Sequence, residues 1–235
     1  MTTPTVIEEA VAPEPRIVSP GPPAIDQAGV RTAVRSLLVA LGRDPDSEHL
    51  ARTPDRVAAA YAELLTPVEF ELTTFANDEG YDQLVLARDI PFTSLCEHHL
   101  LPFHGIAHVG YLPGERIVGL SKLARVVDRF ARNLQVQERL TRQVADCLQT
   151  ELRPNGVGVV LEAEHQCMTQ RGVRAHDSAT LTSALHGYLR TDSTARSEFF
   201  ALTRERGPRV RIADRRGAPG SRPTTTARGA GMEAW

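Results

Sequence analysis

The chain has 235 residues, of which 41% are hydrophobic and 24% are charged, and its formal net charge is -2. This composition is typical of a globular protein, and the charge excludes a general electrostatic attraction to nucleic acid or membrane. No segment reaches the roughly 18 apolar residues of a membrane span, and the N-terminus lacks a signal-peptide pattern. Three cysteines are too few for a disulfide framework, so we expect a cytoplasmic protein whose thiols serve metal binding or chemistry.

Both ends of the chain are predicted to be disordered. Residues 1–24 form a proline-rich leader, and residues 206–235 form a basic tail rich in Gly, Pro, Arg and Thr without apolar periodicity. A basic tail can contact RNA. Because no aromatic residue is interleaved with the arginines before Trp235, we expect no nucleic-acid partner. The lack of an apolar span gives the expectation of no membrane partner.

Residues 25–70 are predicted to form an N-terminal helical pair. Apolar residues at helical spacing give the first helix, which Gly42 ends. The second helix begins at Thr53, as N-cap, with Pro54 at the first helical position, where a missing backbone donor costs nothing. Pro67 ends this helix, so the pair forms a small packing unit.

Residues 71–205 are predicted to form one catalytic α+β domain. The turn signal Pro113-Gly114 predicts a hairpin between two strands, and Ser121 is a candidate helix N-cap. Strands followed by long helices favour an antiparallel sheet with helices on one face. The predicted strands are 84–86, 90–92, 105–111, 116–119, 157–163 and 181–189, and the predicted helices are 121–133, 135–152 and 194–204.

Two clusters in this domain carry metal-ligand chemistry. Cys96 and His99 lie within one turn of backbone, and Cys167 follows about seventy residues later. Sulfur and imidazole nitrogen suit zinc, and three protein ligands with one open position are typical of a catalytic site. The residue types alone leave open that these are buried cysteines and hydrogen-bonded core histidines. Cys147 shares the apolar face of a predicted helix, so we expect it in the core.

Further polar residues lie beside these clusters. His98 and His165 neighbour the ligands, where imidazoles act either in proton transfer or as hydrogen-bonded supports. Glu138 opens a helix, where the helix dipole stabilises a carboxylate, and its oxygens also match two adjacent N–H donors of a guanine edge. Three cations near the clusters suit phosphate, although each is also a plausible surface charge: Lys122, Arg125 and Arg171.

Taken together, these motifs closely resemble the GTP cyclohydrolase I family. The resemblance runs from about residue 26 to 204, and several motifs in the right order make it specific. It is carried by Cys-Glu-His-His-Leu-Leu-Pro-Phe-His-Gly (96–105), Gly-Leu-Ser-Lys-Leu-Ala-Arg (119–125), Gln-Val-Gln-Glu-Arg-Leu (135–140), Glu-His-Gln-Cys-Met (164–168) with Arg-Gly-Val (171–173), and Thr-Pro-Asp-Arg-Val (53–57).

The resemblance implies a tunnelling fold, in which subunits complete a barrel within a homodecamer and active sites lie at subunit interfaces. It implies hydrolytic opening of the guanine imidazole ring of GTP, release of formate and closure to 7,8-dihydroneopterin triphosphate, the first step of folate and pterin biosynthesis. By position it assigns Zn²⁺ to Cys96, His99 and Cys167, and proton transfer to His98 and His165. The implied substrate-binding residues are Glu138, Gln137, Ser121, Lys122, Arg125, Arg171 and Arg56.

Four residues depart from the commoner family pattern without removing a ligand or a proton donor: Leu95, Asn133 and the pair Thr169-Gln170. Other interpretations remain open at this point. A related purine-ring hydrolase would stop at the opened formamide or take another nucleotide. A catalytically inactive regulatory paralogue is disfavoured by the retained ligands and histidines. A structural zinc module would require a fourth protein ligand, which the core does not offer.

Overall fold

The computed structural model describes residues 24–204, so the predictions for residues 1–23 of the leader and for the tail at 206–235 lie outside the described residues. The helices are α1 (Gln27–Ala40), α2 (Thr53–Leu65), α3 (Leu120–Ala131), α4 (Gln137–Leu152), α5 (Gln166–Thr169), α6 (Gly187–Thr191) and α7 (Ser193–Arg204). The strands are β1 (Thr74–Ala76), β2 (Val85–Cys96), β3 (Pro102–Leu112), β4 (Arg116–Val118), β5 (Leu134–Gln135), β6 (Gly156–His165) and β7 (Thr180–His186).

The main sheet has five strands in the order β5-β2-β3-β6-β7. The predicted antiparallel pairing is confirmed for β2-β3, β3-β6 and β6-β7, whereas β5 runs parallel to β2 through a short contact. The sheet is therefore mixed. A bulge interrupts β2 between Ala87 and Ile90, where Asp89 adopts a φ of 55°, because an extra residue in one strand must leave the regular ladder.

One face of the sheet packs against α3 and α4. Alternate residues of β3 and β6, including Phe103, Val109 and Leu161, are fully buried against apolar residues of the helices, such as Leu123 and Leu140. The period of two along the strands and of 3.6 along the helices places these side chains in one core. Cys147 packs against this core, as the sequence predicts.

The opposite face also carries a helix, so the prediction of helices on one face was incomplete. Phe199 of α7 is fully buried there with Val160 and Leu189. Its ring fits because Gly110 and Gly158 are paired across β3 and β6. A Cβ atom at Gly158 would lie 2.7 Å from the Phe199 ring, closer than real carbon contacts. The two glycines thus form the recess that admits the aromatic ring.

The predicted hairpin between strands 105–111 and 116–119 was wrong. β4 pairs with β1, a short strand that the sequence analysis missed, in a separate two-stranded sheet. β3 already has β2 on one side and β6 on the other, so it offers no free edge to β4. The hydroxyl of Tyr111 instead accepts a hydrogen bond from the backbone N–H of Val118, at 3.2 Å.

Several element ends differ from the predictions. Thr53 is the first residue of α2 rather than its cap, and α3 has Gly119 at the N-cap without a side-chain hydrogen bond, so Ser121 does not cap it. The last predicted strand ends early because Gly187, with a φ of 55°, turns the chain into α6.

The helical pair α1 and α2 belongs to the same compact unit as the sheet, and this unit ends at Arg204. α1 contains no buried residue, and Leu37 and Leu41 near its end are more than half exposed. Within residues 24–204, none of the helices has both the length and the apolar character needed to cross a membrane.

Candidate active site

A tight turn between β2 and β3 presents the first two candidate ligands. Cys96 is the last residue of β2, and its carbonyl oxygen accepts hydrogen bonds from the backbone N–H groups of His99 and Leu100, at 3.3 and 2.8 Å. Leu100 adopts a φ of 54°, which reverses the chain toward β3. The turn places the side chains of Cys96 and His99 on one side, as the three-residue spacing predicts.

The third candidate ligand arrives through the neighbouring strand. β6 pairs with β3 in a register that sets His165 opposite Phe103, and Cys167 follows in α5. The Cys167 Sγ atom lies 4.0 Å from Cys96 Sγ, and His99 Nδ1 lies 3.6 Å from Cys96 Sγ. All three donor atoms lie within 4.8 Å of one another. The fold thus unites two clusters that are about seventy residues apart.

These separations fit a metal ion. Two thiolates bound to tetrahedral zinc, with Zn–S near 2.3 Å, lie about 3.8 Å apart, close to the sulfur–sulfur distance seen here. Two sulfurs and one imidazole nitrogen are the donor types that zinc prefers. Cys96, His99 and Cys167 therefore form a group that can hold a metal ion with one position open.

His165 is held beside this group by two contacts. Its imidazole stacks on the ring of Phe103, with centroids 4.6 Å apart and planes within 3° of parallel. Its Nε2 atom lies 2.7 Å from the side-chain oxygen of Gln137. Burial lowers the pKa of His165, and the carboxylate of Glu138 partly offsets this effect. For Cys167, burial and then the neighbouring Cys96 thiol raise the pKa.

The other predicted site residues near Cys96, His99 and Cys167 differ in their distance from these three residues. His98 is exposed, with Nδ1 3.9 Å from Cys96 Sγ. Arg171 is exposed and lies 3.4 Å from His99 Nε2. Glu138 is exposed in the first turn of α4 and acts electrostatically on His165.

The remaining predicted substrate-binding residues differ in accessibility. Ser121 and Lys122 lie in the first turn of α3, and the ammonium group of Lys122 lies 5.8 Å from the ring centroid of Phe70. Arg125 on α3 and Arg56 on α2 are exposed. Among the described residues, no hydrogen bond or ion pair joins any of these four to the ligands.

An ion pair that was not expected from the sequence ties the turn between β2 and β3 to α4. Arg139 pairs with the carboxylate of Glu97, between Cys96 and His98, and lowers the pKa of that carboxyl. The same guanidinium donates to the side-chain oxygen of Gln135 at 2.9 Å. The sequence holds a signal for this pair, because Glu97 among the candidate ligands and Arg139 after Glu138 carry opposite charges.

Comparison with known proteins decides the family. Residues 30–204 match the sequence model described as GTP cyclohydrolase I. The chain belongs to the GTP cyclohydrolase I family. GTP cyclohydrolase 1 of Mycolicibacterium gilvum (strain PYR-GCK) is 54% identical over 185 residues, covering 77% of this chain and 92% of that protein. GTP cyclohydrolase 1 of Caldanaerobacter subterraneus subsp. tengcongensis is 51% identical over 183 residues, covering 76% and 97%.

A third member of the GTP cyclohydrolase I family, GTP cyclohydrolase 1 of Mycobacterium tuberculosis (strain ATCC 25177 / H37Ra), is 51% identical over 182 residues, covering 75% of this chain and 90% of that protein. Identities above one half over most of both chains support the same enzyme class for this protein. The expected resemblance is thereby confirmed.

Proposed function

We propose that this protein converts GTP and water to 7,8-dihydroneopterin triphosphate and formate, with zinc bound by Cys96, His99 and Cys167. The observation that carries the proposal is the convergence of these three donors, from two distant segments, beside a half-buried histidine in a chain of this family. When bound, a zinc ion supplies Lewis-acid activation of water for attack on carbon 8 of guanine.

The two histidines are assigned to proton transfer. His165, held by Phe103 and Gln137, protonates the ring nitrogen next to carbon 8, which weakens the carbon–nitrogen bond and opens the imidazole ring. His98 is exposed beside Cys96, so it can exchange protons with substrate and solvent. Hydrolysis of the formamide then releases formate. The ribose opens and rearranges through an enol-type intermediate to a ketone, which condenses with the freed amine and loses water to form the pterin ring.

Glu138 is assigned to the guanine ring. Its carboxylate is exposed and lies near enough to His165 to act on that imidazole. A carboxylate accepts from two adjacent N–H groups of guanine, which orients carbon 8 toward the metal centre. The family resemblance also implies Gln137 among the substrate-binding residues. Because its side chain is almost fully buried, we assign it a place behind the guanine ring, without direct contact with the base.

The cations are assigned to the triphosphate. Arg171 lies next to His99 of the candidate metal centre. Arg56 lies on α2, and Ser121, Lys122 and Arg125 lie on α3. Since these last four make no hydrogen bond or ion pair with Cys96, His99 or Cys167 within the described residues, we assign some of them to the site of a neighbouring subunit. Triphosphate binding lies away from the reacting bonds, and its energy positions the base.

An interfacial site requires an oligomer, and we propose a cytoplasmic homodecamer with the tunnelling fold. Within residues 24–204, β7 pairs only with β6, and β2 meets β5 only at Leu95 and Cys96. Open strand edges are sites where further strands add. Neighbouring copies that pair along these edges would complete the barrel.

Incubation with GTP tests the proposed reaction. We expect formate in equal amount to a pterin that fluoresces after oxidation. Ring opening without formate, or formate without a pterin, would identify a purine-ring hydrolase that stops at an earlier step. If the protein makes neither formate nor a pterin at any metal loading, the proposal is contradicted.

A further inference from the structure

The side-chain amide of Gln137 has only one possible orientation. Gln137 is the first residue of α4 and is 2% exposed. Its amide nitrogen lies 3.1 Å from the carbonyl oxygen of Leu161 and 2.9 Å from that of Thr180. Backbone carbonyls accept hydrogen bonds and never donate them. The nitrogen must therefore face the two carbonyls, and the oxygen must face the other way.

A chain of hydroxyl groups supports the same orientation. The Thr141 hydroxyl donates to the backbone oxygen of Gln137 at 2.7 Å, and it lies 2.6 Å from the Thr182 hydroxyl. Because the Thr141 hydrogen is used, Thr182 is the donor between the two hydroxyls. The Thr182 oxygen is then an acceptor for the Gln137 amide nitrogen, which lies 3.1 Å away.

The amide oxygen, fixed in this way, faces His165. It lies 2.7 Å from the Nε2 atom of that imidazole. An amide oxygen can only accept, so the hydrogen of this bond belongs to Nε2. A neutral imidazole has one N–H group, which leaves the lone pair on Nδ1. No hydrogen bond engages Nδ1 of His165 within residues 24–204.

We propose that Gln137 is a positioning residue that fixes the tautomer of His165, so that Nδ1 takes up the proton lost by the attacking water and passes it to the ring nitrogen of the substrate. The proposal rests on the proposed role of His165 in proton transfer. Phe103 holds the plane of the imidazole by stacking, and Gln137 selects which nitrogen carries the hydrogen. Since the Gln137 side chain is almost fully buried, it acts through His165 and not by direct contact with guanine.

The substitution Gln137→Met tests this role. Methionine has a similar length but offers no oxygen to Nε2, so the tautomer is no longer selected. Positioned proton transfer contributes about 100-fold or more to a rate, and we expect kcat for formate release to fall at least about tenfold. KM for GTP and bound zinc should stay within about twofold of wild type, since neither depends on this tautomer.

The matched control is Thr182→Val in the same buried cluster. It removes one acceptor from the Gln137 amide but leaves both carbonyls, so the amide oxygen still faces His165. We expect kcat within about twofold of wild type at a comparable loss of thermal stability. Equal losses of kcat in both variants would show that Gln137 serves packing alone. A raised KM with unchanged kcat in Gln137→Met would show direct substrate contact. Either result overturns the proposal.

A second measurement uses the wild-type protein and does not depend on the folding of a Gln137 variant. Solid-state NMR of zinc-loaded protein labelled with 15N-histidine distinguishes Nδ1–H from Nε2–H imidazoles, with His165→Asn assigning the signal. We expect an Nε2–H tautomer, and an Nδ1–H tautomer would overturn the proposal. If wild type makes no formate from GTP, the proposed function fails, while the spectrum still reports the tautomer.

Discussion

The ring of Phe103 lies parallel to the imidazole of His165, 4.6 Å away between centroids, because the two residues are directly opposed across β3 and β6. Phe103 is fully buried, so it forms a fixed wall against which the imidazole rests. Cross-strand aromatic pairs stabilise a sheet and also set ring orientation.

The substitution Phe103→Leu should therefore lower kcat. A stacked pair contributes about 0.5–1.5 kcal/mol, and losing this orientation should reduce the rate of formate release about two- to tenfold. The control is Phe92→Leu, since Phe92 meets Phe103 edge-on at 6.1 Å and is also buried. It should lower the thermal midpoint with little change in kcat. A kcat loss that is equal in the two variants would contradict the role of stacking.

Gly158→Ala should destabilise the protein through Phe199. The new Cβ would lie 2.7–2.9 Å from the aromatic ring, and overpacking of this kind costs about 1–3 kcal/mol. Thermal midpoints, measured at one protein concentration, test this expectation. In the double variant Gly158→Ala, Phe199→Leu the smaller side chain relieves the clash, so the two costs should be less than additive. Strict additivity would contradict the proposed recess.

His108 should make stability depend on pH. Burial lowers its pKa, with Asp89, Arg88 and Glu162 as the charged neighbours. Its Nδ1 accepts a hydrogen bond from the backbone N–H of Asp89 at 3.4 Å, which requires that nitrogen to be unprotonated.

His108 binds a proton more weakly in the folded state than in the unfolded state, where its pKa is about 6.5. The contribution of neutral His108 to the free energy of unfolding is therefore fully present above the pKa of the unfolded state. It is lost as pH falls from that value to the lower pKa of the folded state. We expect His108→Gln to flatten the fall of the thermal midpoint between about pH 7 and 5. The control is His176→Gln at an exposed site, which should follow wild type. Parallel curves for wild type and His108→Gln would contradict the assignment.

Arg139→Gln should weaken metal retention. Arg139 of α4 links Glu97, in the turn between β2 and β3, to Gln135 of β5, and support of this kind typically changes metal affinity by roughly tenfold or more. Loss of zinc to a chelator, followed over time, measures the effect. The control Arg142→Gln removes the same charge from the same helix, at an exposed pair with Asp146. Equal rates of zinc loss in both variants would show that the link is without effect.

The proximity of Cys96 and His99 was predictable from sequence because it is local. Cys96 and His99 lie within one turn, and few residue types bind zinc. What the sequence could not give is the register that brings Cys167 to them, since pairing of β3 with β6 depends on the whole sheet. The family resemblance supplied that link where spacing did not.

The fold was predictable where one residue pattern decides it. α7 was expected over 194–204 and is observed over Ser193–Arg204, because its apolar period is clear. The hairpin through Pro113-Gly114 failed because turn chemistry cannot show that both edges of β3 are already occupied. The orientation of the Gln137 amide likewise depends on carbonyls from two other strands.

Formate released from GTP and zinc bound per chain, measured on the same preparations, test the central claim most directly. The variants are Cys167→Ser, at a proposed ligand, and Cys147→Ser, at a core thiol whose pKa burial raises to about 12. We expect about one zinc per chain and formate release in wild type and Cys147→Ser, and loss of both in Cys167→Ser. Full formate release by a metal-free Cys167→Ser protein would contradict the account.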